Sequence, residues 1–166
     1  MVKTNKIFKT SRFLIKEISL KEVNKNYLNW FQDPIAKEMI VSKYLTTDLE
    51  KLASYVEQKL AQENCFFFAI FENSYNAHIG NIKYEVDLKN FSVEMGVLIG
   101  DKTYRGVGLA GEIMPILEKF FKENFNIKKV ILGVSADNNA AYKAYIKNGF
   151  KLEVSKKNSR VMSKDI

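Results

Sequence analysis

Several residue types are scarce in this chain, and each scarcity excludes a class of protein. Its 166 residues include one cysteine, so no internal disulfide can form, which fits a cytoplasmic protein. There is one histidine, His78, and no Cys, Asp or Glu cluster stands at ligand spacing, so we expect no metal site. The longest apolar run, CFFFAIF at 65–71, is far shorter than the ~20 residues that span a bilayer, so we expect no membrane partner.

Positive charge, in contrast, is abundant. The chain has 26 Lys and Arg against 19 Asp and Glu, a net charge of +7. Because the basic residues are scattered rather than clustered, nucleic acid is not an expected partner. Two interpretations of the charge stay open: a solvated lysine-rich surface, or an electropositive site that attracts a phosphorylated ligand. The N-terminal stretch MVKTNKIFKTSRF lacks a continuous apolar segment, so the sequence predicts no signal peptide.

Hydrophobic periodicity predicts one α+β domain over residues 1–166 with a mixed sheet, and 46% hydrophobic residues suffice for its core. The three central strands follow one another in sequence, so we expect them to pair antiparallel. Helices are predicted at 20–31, from Pro34, at 49–64, at 109–125, and from Asp137 or Asn138 to just before Gly149. Strands are predicted at 13–18, 66–72, 78–87, 91–100, 129–136, 150–155 and 161–164.

The stretch TYRGVGLAGE at 103–112 combines three glycines with Arg105 where a strand leads into a helix. A glycine-rich turn at a helix start can hold a phosphate on free backbone N–H groups, and an arginine adds a fork of donors. The spacing from Gly106 to Gly111 also fits the dinucleotide fingerprint. That fingerprint needs a parallel βαβ unit and an acidic residue about 20 positions on, where this chain has KKVIL. By itself the stretch is therefore either a plain turn or a phosphate cradle.

A second constellation lies on the last predicted helix. Asn138, Tyr142 and Tyr145 project from one side of it, and Gly149 follows its end. Together with RGVGLA at 105–110, the pattern N..A...Y...GF at 138–150 resembles the GNAT acyltransferases, which use acetyl-CoA. The family signature is Q/R-x-x-G-x-G/A. The likeness runs over about residues 12–162, nearly the whole chain.

The resemblance implies a GNAT-like fold and a cofactor site. The fold would be a mixed, mostly antiparallel twisted sheet of about seven strands flanked by helices, splayed near Val97 and Ser135. Backbone at the cradle would hold the pyrophosphate of acetyl-CoA, and the splayed strand would pair with its pantetheine arm. The cofactor residues implied are Val97, Leu98, Ile99, Arg105, Gly106, Val107, Gly108, Leu109, Ala110, Asn138 and Tyr145.

Acetyl transfer needs a neutral, aligned amine, a route for its proton, and stabilisation of the departing thiolate. The resemblance implies that Tyr145 protonates the thiolate. Glu94 is a candidate base, directly or through water, and an ion pair with a lysine is the alternative. Tyr27, Trp30 and Tyr44 lie where the family builds its acceptor pocket, and ordinary packing is the alternative for each.

The acceptor is predicted to be a small-molecule amine, most specifically the amino group of a nucleotide-linked sugar in bacterial surface-glycan synthesis. The short KNSR loop should leave the acceptor side open, and the positive charge favours an acceptor with a diphosphate. The alternatives are a ribosomal-protein type N-terminal acetyltransferase and a CoA-binding domain without catalysis. A monomer or a homodimer is expected.

Overall fold

The computed structural model describes residues 6–34, 47–74 and 76–166. Its helices are α1 (Lys25–Trp30), α2 (Leu49–Ala61), α3 (Leu109–Phe125) and α4 (Asn139–Lys147). Its strands are β1 (Ile7–Lys9), β2 (Phe13–Glu17), β3 (Cys65–Glu72), β4 (Ala77–Asp87), β5 (Ser92–Ile99), β6 (Lys129–Ser135), β7 (Lys151–Ser155) and β8 (Ser159–Asp165).

The strands form one sheet in the order β1-β2-β3-β4-β5-β6-β8-β7. Every neighbouring pair is antiparallel except β5 and β6, which are parallel. The α+β class and the mostly antiparallel mixed sheet are therefore confirmed. The eighth strand is β1, whose three residues are too few to show an alternating pattern.

The parallel pair opens part-way along its length. β5 and β6 are paired from Ser92 with Lys129 to Met95 with Leu132, and then they separate. Beyond Met95, β5 continues to Ile99 with β4 on its other side, and β6 continues to Ser135 with β8 on its other side. We call this wedge between β5 and β6 the gap. Its position matches the predicted splay.

Each face of the sheet carries its own core. On one face, α3 packs Leu109, Ile113, Leu117 and Phe121 into the larger core, and Tyr145 of α4 packs against it. On the other face, the core members from the helices are Tyr27, Trp30, Leu52 and Val56, contributed by α1 and α2. Side chains of α3 and α4 therefore lie on one face of the sheet, and side chains of α1 and α2 lie on the other.

The single helix predicted at 20–31 is wrong. A 3-10 turn, Leu20–Glu22, comes first, and Val23 then has extended backbone before α1 begins. Ser19 and Glu22 form a reciprocal capping box around the turn, and Asn24 caps α1 by accepting hydrogen bonds from the N–H groups of Asn26 and Tyr27. Two successive caps divide what hydrophobic spacing alone reads as one helix. The helix predicted from Pro34 falls largely at 35–46, outside the described residues.

Candidate active site

The gap exposes one edge of β5. Of the predicted cofactor residues, Val97, Leu98 and Ile99 lie on this stretch, and no strand pairs with their gap-facing edge in the part of the chain described. Backbone N–H and C=O groups on such an edge can pair with an extended, amide-bearing ligand. The pantetheine arm of coenzyme A has that chemistry, so these residues fit it.

The predicted cradle follows directly on the open end of β5. Gly106 and Gly108 have φ of +74° and +81°, left-handed conformations that glycine adopts without strain. Gly108 is the N-cap of α3 and contributes no side-chain cap, which leaves the N–H groups of the first turn for other partners. Buried Leu109 anchors the start of α3 in the larger core, while Gly106, Val107 and Gly108 are exposed. The turn is therefore a cradle open to an anion.

Arg105 does not point into this cradle. Its guanidinium donates from Nη1 to Asp33 Oδ2 at 2.6 Å, from Nε to Ile99 O at 2.9 Å and from Nη2 to Gly100 O at 3.2 Å. The expectation of a free fork of donors at the cradle mouth is thus corrected. Arg105 instead links the end of β5 to Asp33, which follows α1. The Asp33 side chain is only 6% exposed, so the Arg105 guanidinium is directed toward the protein interior.

A different arginine reaches the cradle, one that sequence reasoning did not single out. Arg12 lies in the turn between β1 and β2, and its Nη2 donates to Val107 O at 3.1 Å. Its Nε forms an ion pair with Glu112 in the first turn of α3, at 2.7 Å. No spacing rule could have paired Arg12 with Glu112, because they are 100 residues apart.

Helix α4 packs Tyr145 against the larger core, on one face of the sheet. Asn138 caps this helix by accepting a hydrogen bond from Ala141 N at 3.0 Å. At the other end, Gly149 has φ of +90° and Phe150 N donates to Tyr145 O at 3.0 Å. The Tyr145 ring packs edge-on against Phe150, with 5.6 Å between centroids. Burial raises the pKa of Tyr145 to about 12, so this hydroxyl keeps its proton at neutral pH.

Glu94 lies on the opposite face of the sheet. Its neighbours along β5, Val93 and Met95, are buried in the larger core, whereas Glu94 is exposed. Glu94 is opposite Ile131 of β6, one residue before the pairing ends. Tyr145 and Glu94 therefore lie on opposite faces of the sheet. The expected lysine partner of Glu94 is not found among the residues described.

The sheet beside Glu94 is uncovered. Gly96 and Gly133 continue the same face on the two sides of the gap, and a Cβ added at either would meet nothing within 4 Å. An open groove of about 610 Å³ lies beside Glu94, along the paired segment of β5 and β6, and its charged lining residues are Glu85, Asp87, Lys89 and Glu94. The groove can admit a second substrate to the side chain of Glu94.

Tyr27 and Trp30 are packed rather than open to a ligand. They are 2% and 5% exposed, and the Trp30 ring lies 4.8 Å from the His78 ring. A Cβ at Gly100 would fall 1.8 Å from the Trp30 ring, so Gly100 makes room for the indole. Acceptor contacts by these rings stay a prediction. Tyr44, the third residue of that prediction, lies outside the described residues.

A buried polar cluster lies behind Tyr145 on the same face. Glu118 of α3 accepts a 2.7 Å hydrogen bond from Lys164 Nζ, but its Oε1 and the Tyr84 hydroxyl are buried without a hydrogen-bond partner. Burial, together with the charge of Glu118, raises the pKa of Tyr84. Tyr84 is opposite Met95, the last residue of β5 that pairs with β6, so the cluster lies at the closed end of the gap.

The described residues meet neither the requirements for a metal site nor those for a membrane-spanning helix. Within the described ranges, no group of three or more His, Cys, Asp or Glu side chains could hold a metal ion. None of the helices in those ranges has the length and apolarity to cross a membrane.

The family to which this fold belongs is shown by comparison with known proteins. A family model described as an acetyltransferase (GNAT) domain matches residues 12–151. The chain belongs to the GNAT acetyltransferase family. GNAT acetyltransferases are acyltransferases that use acetyl-CoA. No curated protein matches the chain.

Solved structures of GNAT enzymes share this fold at low sequence identity. The ribosomal L7/L12 α-N-protein acetyltransferase RimL in complex with coenzyme A is 14% identical, with a TM-score of 0.82 over 97% of this chain and 98% of that one. The microcin C7 self-immunity acetyltransferase MccE in complex with acetyl-CoA and AMP is 16% identical, with a TM-score of 0.78 over 94% and 93%. A spermidine N-acetyltransferase SpeG chimera from Vibrio cholerae and hSSAT is 14% identical, with a TM-score of 0.77 over 93% and 96%.

Proposed function

We propose that this GNAT protein is an acetyl-CoA-dependent N-acetyltransferase in which a primary amine attacks the thioester directly. The observation that carries the proposal is the gap between β5 and β6. It leaves an edge of β5 unpaired up to Ile99, and the open turn with Gly106 and Gly108 follows soon after in the chain, at the start of α3. Bound acetyl-CoA supplies the activated acetyl group, and the RimL and MccE structures contain coenzyme A and acetyl-CoA, respectively.

Binding of the coenzyme divides among three parts of the chain. Backbone N–H groups at 106–110 hold the pyrophosphate, where the start of α3 adds its partial positive charge. The edge from Val97 to Ile99 pairs with the pantetheine arm. Asn138, the N-cap of α4, follows the end of β6 on the other side of the gap and contacts the arm from there.

Tyr145 donates a proton to the departing thiolate. Burial raises its pKa, but the same low-polarity surroundings raise the pKa of a thiol formed beside it, so the two pKa values shift in the same direction. Glu94 accepts the proton of the attacking amine from the opposite face, directly or through water. Their placement on opposite faces lets the coenzyme and the amine approach from different sides.

The acceptor proposed for the open groove is an amine that carries additional positive charge. The charged residues that line the groove are Glu85, Asp87, Lys89 and Glu94, and Lys59 and Lys83 pair with Glu85. The Asp87 and Glu94 carboxylates attract a polyamine or a peptide N-terminus, and the Lys89 ammonium opposes this attraction. SpeG is a spermidine N-acetyltransferase, and RimL is a ribosomal L7/L12 α-N-protein acetyltransferase. The nucleotide-linked amino sugar predicted from the sequence is the competing acceptor, supported by the net charge of +7.

A thiol-release assay with acetyl-CoA tests the proposal directly. We expect release with at least one of spermidine, ribosomal N-terminal peptides and UDP- or dTDP-linked amino sugars, and mass spectrometry should find one acetyl group added. The variant Asp87→Asn should raise KM for a cationic acceptor and leave KM for acetyl-CoA unchanged. Tight acetyl-CoA binding without release for any acceptor would contradict catalysis and favour a CoA-binding domain.

A further inference from the structure

The motif arginine and the cradle arginine are different residues in this protein. Arg105, within the RGVGLA motif, is 16% exposed and engaged by Asp33 and two backbone carbonyls. Arg12, outside the motif, is 47% exposed and lies against the cradle. An anion that enters the cradle therefore meets Arg12 and not Arg105.

The geometry fixes where the Arg12 guanidinium lies. Its Nη2 is 3.1 Å from Val107 O and would lie 3.9 Å from a Cβ built on Gly108. Both are cradle residues, and Gly108 is the N-cap of α3. The guanidinium also lies over the Phe13 ring, 4.9 Å from its centroid, which holds the side chain back against the sheet. No contact is found for Nη1 among the described residues, so the outer donors of the fork are available.

Glu112 holds Arg12 in this position. Its Oε2 accepts from Arg12 Nε at 2.7 Å, and its Oε1 accepts from Arg12 N and Ser11 Oγ, both at 3.0 Å, and from Thr10 Oγ1. Burial alone would raise the pKa of Glu112, but these hydrogen bonds outweigh it and lower the pKa to about 2. The carboxylate is therefore ionised at every pH at which the enzyme would work.

The charge of Glu112 gives Arg12 a second effect. Glu112 is in the first turn of α3, so alone it would place a negative charge beside a site for phosphate. Arg12 cancels that charge and adds donors that face outward. Loss of Arg12 would both remove a cation and leave the Glu112 carboxylate uncompensated at the cradle.

We propose that Arg12 binds a phosphate of coenzyme A at the cradle and that Glu112 is the positioning residue that orients it. This inference rests on the proposed function, because it takes acetyl-CoA as the ligand. It adds a side chain from the β1–β2 turn to a site that the motif alone would build from backbone and Arg105.

Coenzyme affinity, measured by calorimetry on the whole protein, tests the inference. Arg12→Gln should weaken acetyl-CoA binding about tenfold, the range expected for one charge-assisted contact. S-acetylpantetheine, which lacks all phosphates of the coenzyme, should bind both proteins equally. Arg12→Lys, which keeps the charge, should recover part of the affinity, and Arg12→Gln/Glu112→Gln should bind better than Arg12→Gln.

Two controls separate the possible failures. Lys9→Gln removes the same charge from β1, on the face of the sheet opposite Phe8 and the larger core, and should leave the affinity unchanged. Dephospho-CoA, which lacks the 3′-phosphate, identifies the phosphate that Arg12 contacts. If Arg12→Gln also weakens the binding of dephospho-CoA, Arg12 contacts the pyrophosphate. If Arg12→Gln leaves the binding of dephospho-CoA unchanged, Arg12 contacts the 3′-phosphate. Unchanged acetyl-CoA affinity in Arg12→Gln overturns the inference. Failure of the wild-type protein to bind acetyl-CoA would instead overturn the proposed function.

Discussion

Two tyrosines on α4, Tyr142 and Tyr145, lie three residues apart and have different surroundings. The Arg160 guanidinium covers the Tyr142 ring at 4.6 Å from its centroid, whereas Tyr145 packs on Phe150. Burial raises the pKa of Tyr145 to about 12, so its hydroxyl keeps its proton at neutral pH. The two residues therefore form a matched pair for mutagenesis, since only Tyr145 belongs to the proposed machinery.

At Tyr145 we expect substitution by phenylalanine to lower kcat by on the order of 10²-fold, because loss of one positioned proton donor has that effect. KM for acetyl-CoA should change little, since the ring and its packing are kept. Tyr142→Phe should retain the wild-type kcat. Steady-state kinetics with a saturating amine checks this, and equal kcat in the two variants would remove Tyr145 from the acid role.

At the scale of single elements, caps decide which helices form and where the site residues lie. Local patterns predicted α2, α3 and α4 closely, because Asp48, Gly108 and Asn138 mark their starts. The stretch at 20–31 was predicted less well. There the Asn24 side chain caps a new helix in the middle of the hydrophobic repeat. Hydrophobic periodicity alone does not detect such an internal cap.

Asn138 should stabilise α4 through its cap. Asn138→Ala removes the acceptor for Ala141 N and should lower the free energy of unfolding by about 1 kcal/mol. Asn138→Ser keeps a capping oxygen and should stay within a few tenths of a kcal/mol of wild type. Urea denaturation of the three proteins measures the difference. Equal losses in both variants would show that the amide contributes something other than the cap.

At the scale of the whole molecule, the two cores differ in how they treat polar groups. The larger core buries Glu118, which is paired with half-buried Lys164 at the closed end of the gap. Beside the smaller core lies half-buried His78, whose Nε2 is 2.8 Å from Asn81 Oδ1 and whose ring contacts Tyr27, Trp30 and Phe71. A sequence shows such residues as isolated polar positions, and their partners become visible only when the sheet is assembled.

Stability should decrease on acidification, first through His78. Burial lowers the pKa of His78, and the Asn81 contact opposes this only in part, so the unfolded chain binds a proton more readily than the native one. The stabilising contribution is then complete above about pH 6.5 and is lost as the pH falls through the lowered pKa. Glu112 adds a loss in the same direction at lower pH, below about 4.5, because its native pKa is also lowered.

Urea unfolding of the wild-type protein and of His78→Gln measures this effect. Between about pH 7.5 and about pH 5, the wild-type free energy of unfolding should fall, and the fall should be smaller in the variant. The variant's lower absolute stability does not enter the comparison, since only the slope with pH is compared. Parallel slopes would exclude His78 as the source.

The sequence by itself determined the family, the order of the main elements, the glycine turn that precedes α3 and the helix that carries Tyr145. These features depend on short-range patterns: glycine spacing, caps and hydrophobic periods within one element. The tertiary structure decided which arginine meets the cradle. Asp33 turns Arg105 inward, and Glu112, 100 residues from Arg12, holds Arg12 beside Val107. Charge placement of this kind depends on chain segments that meet only in the folded sheet.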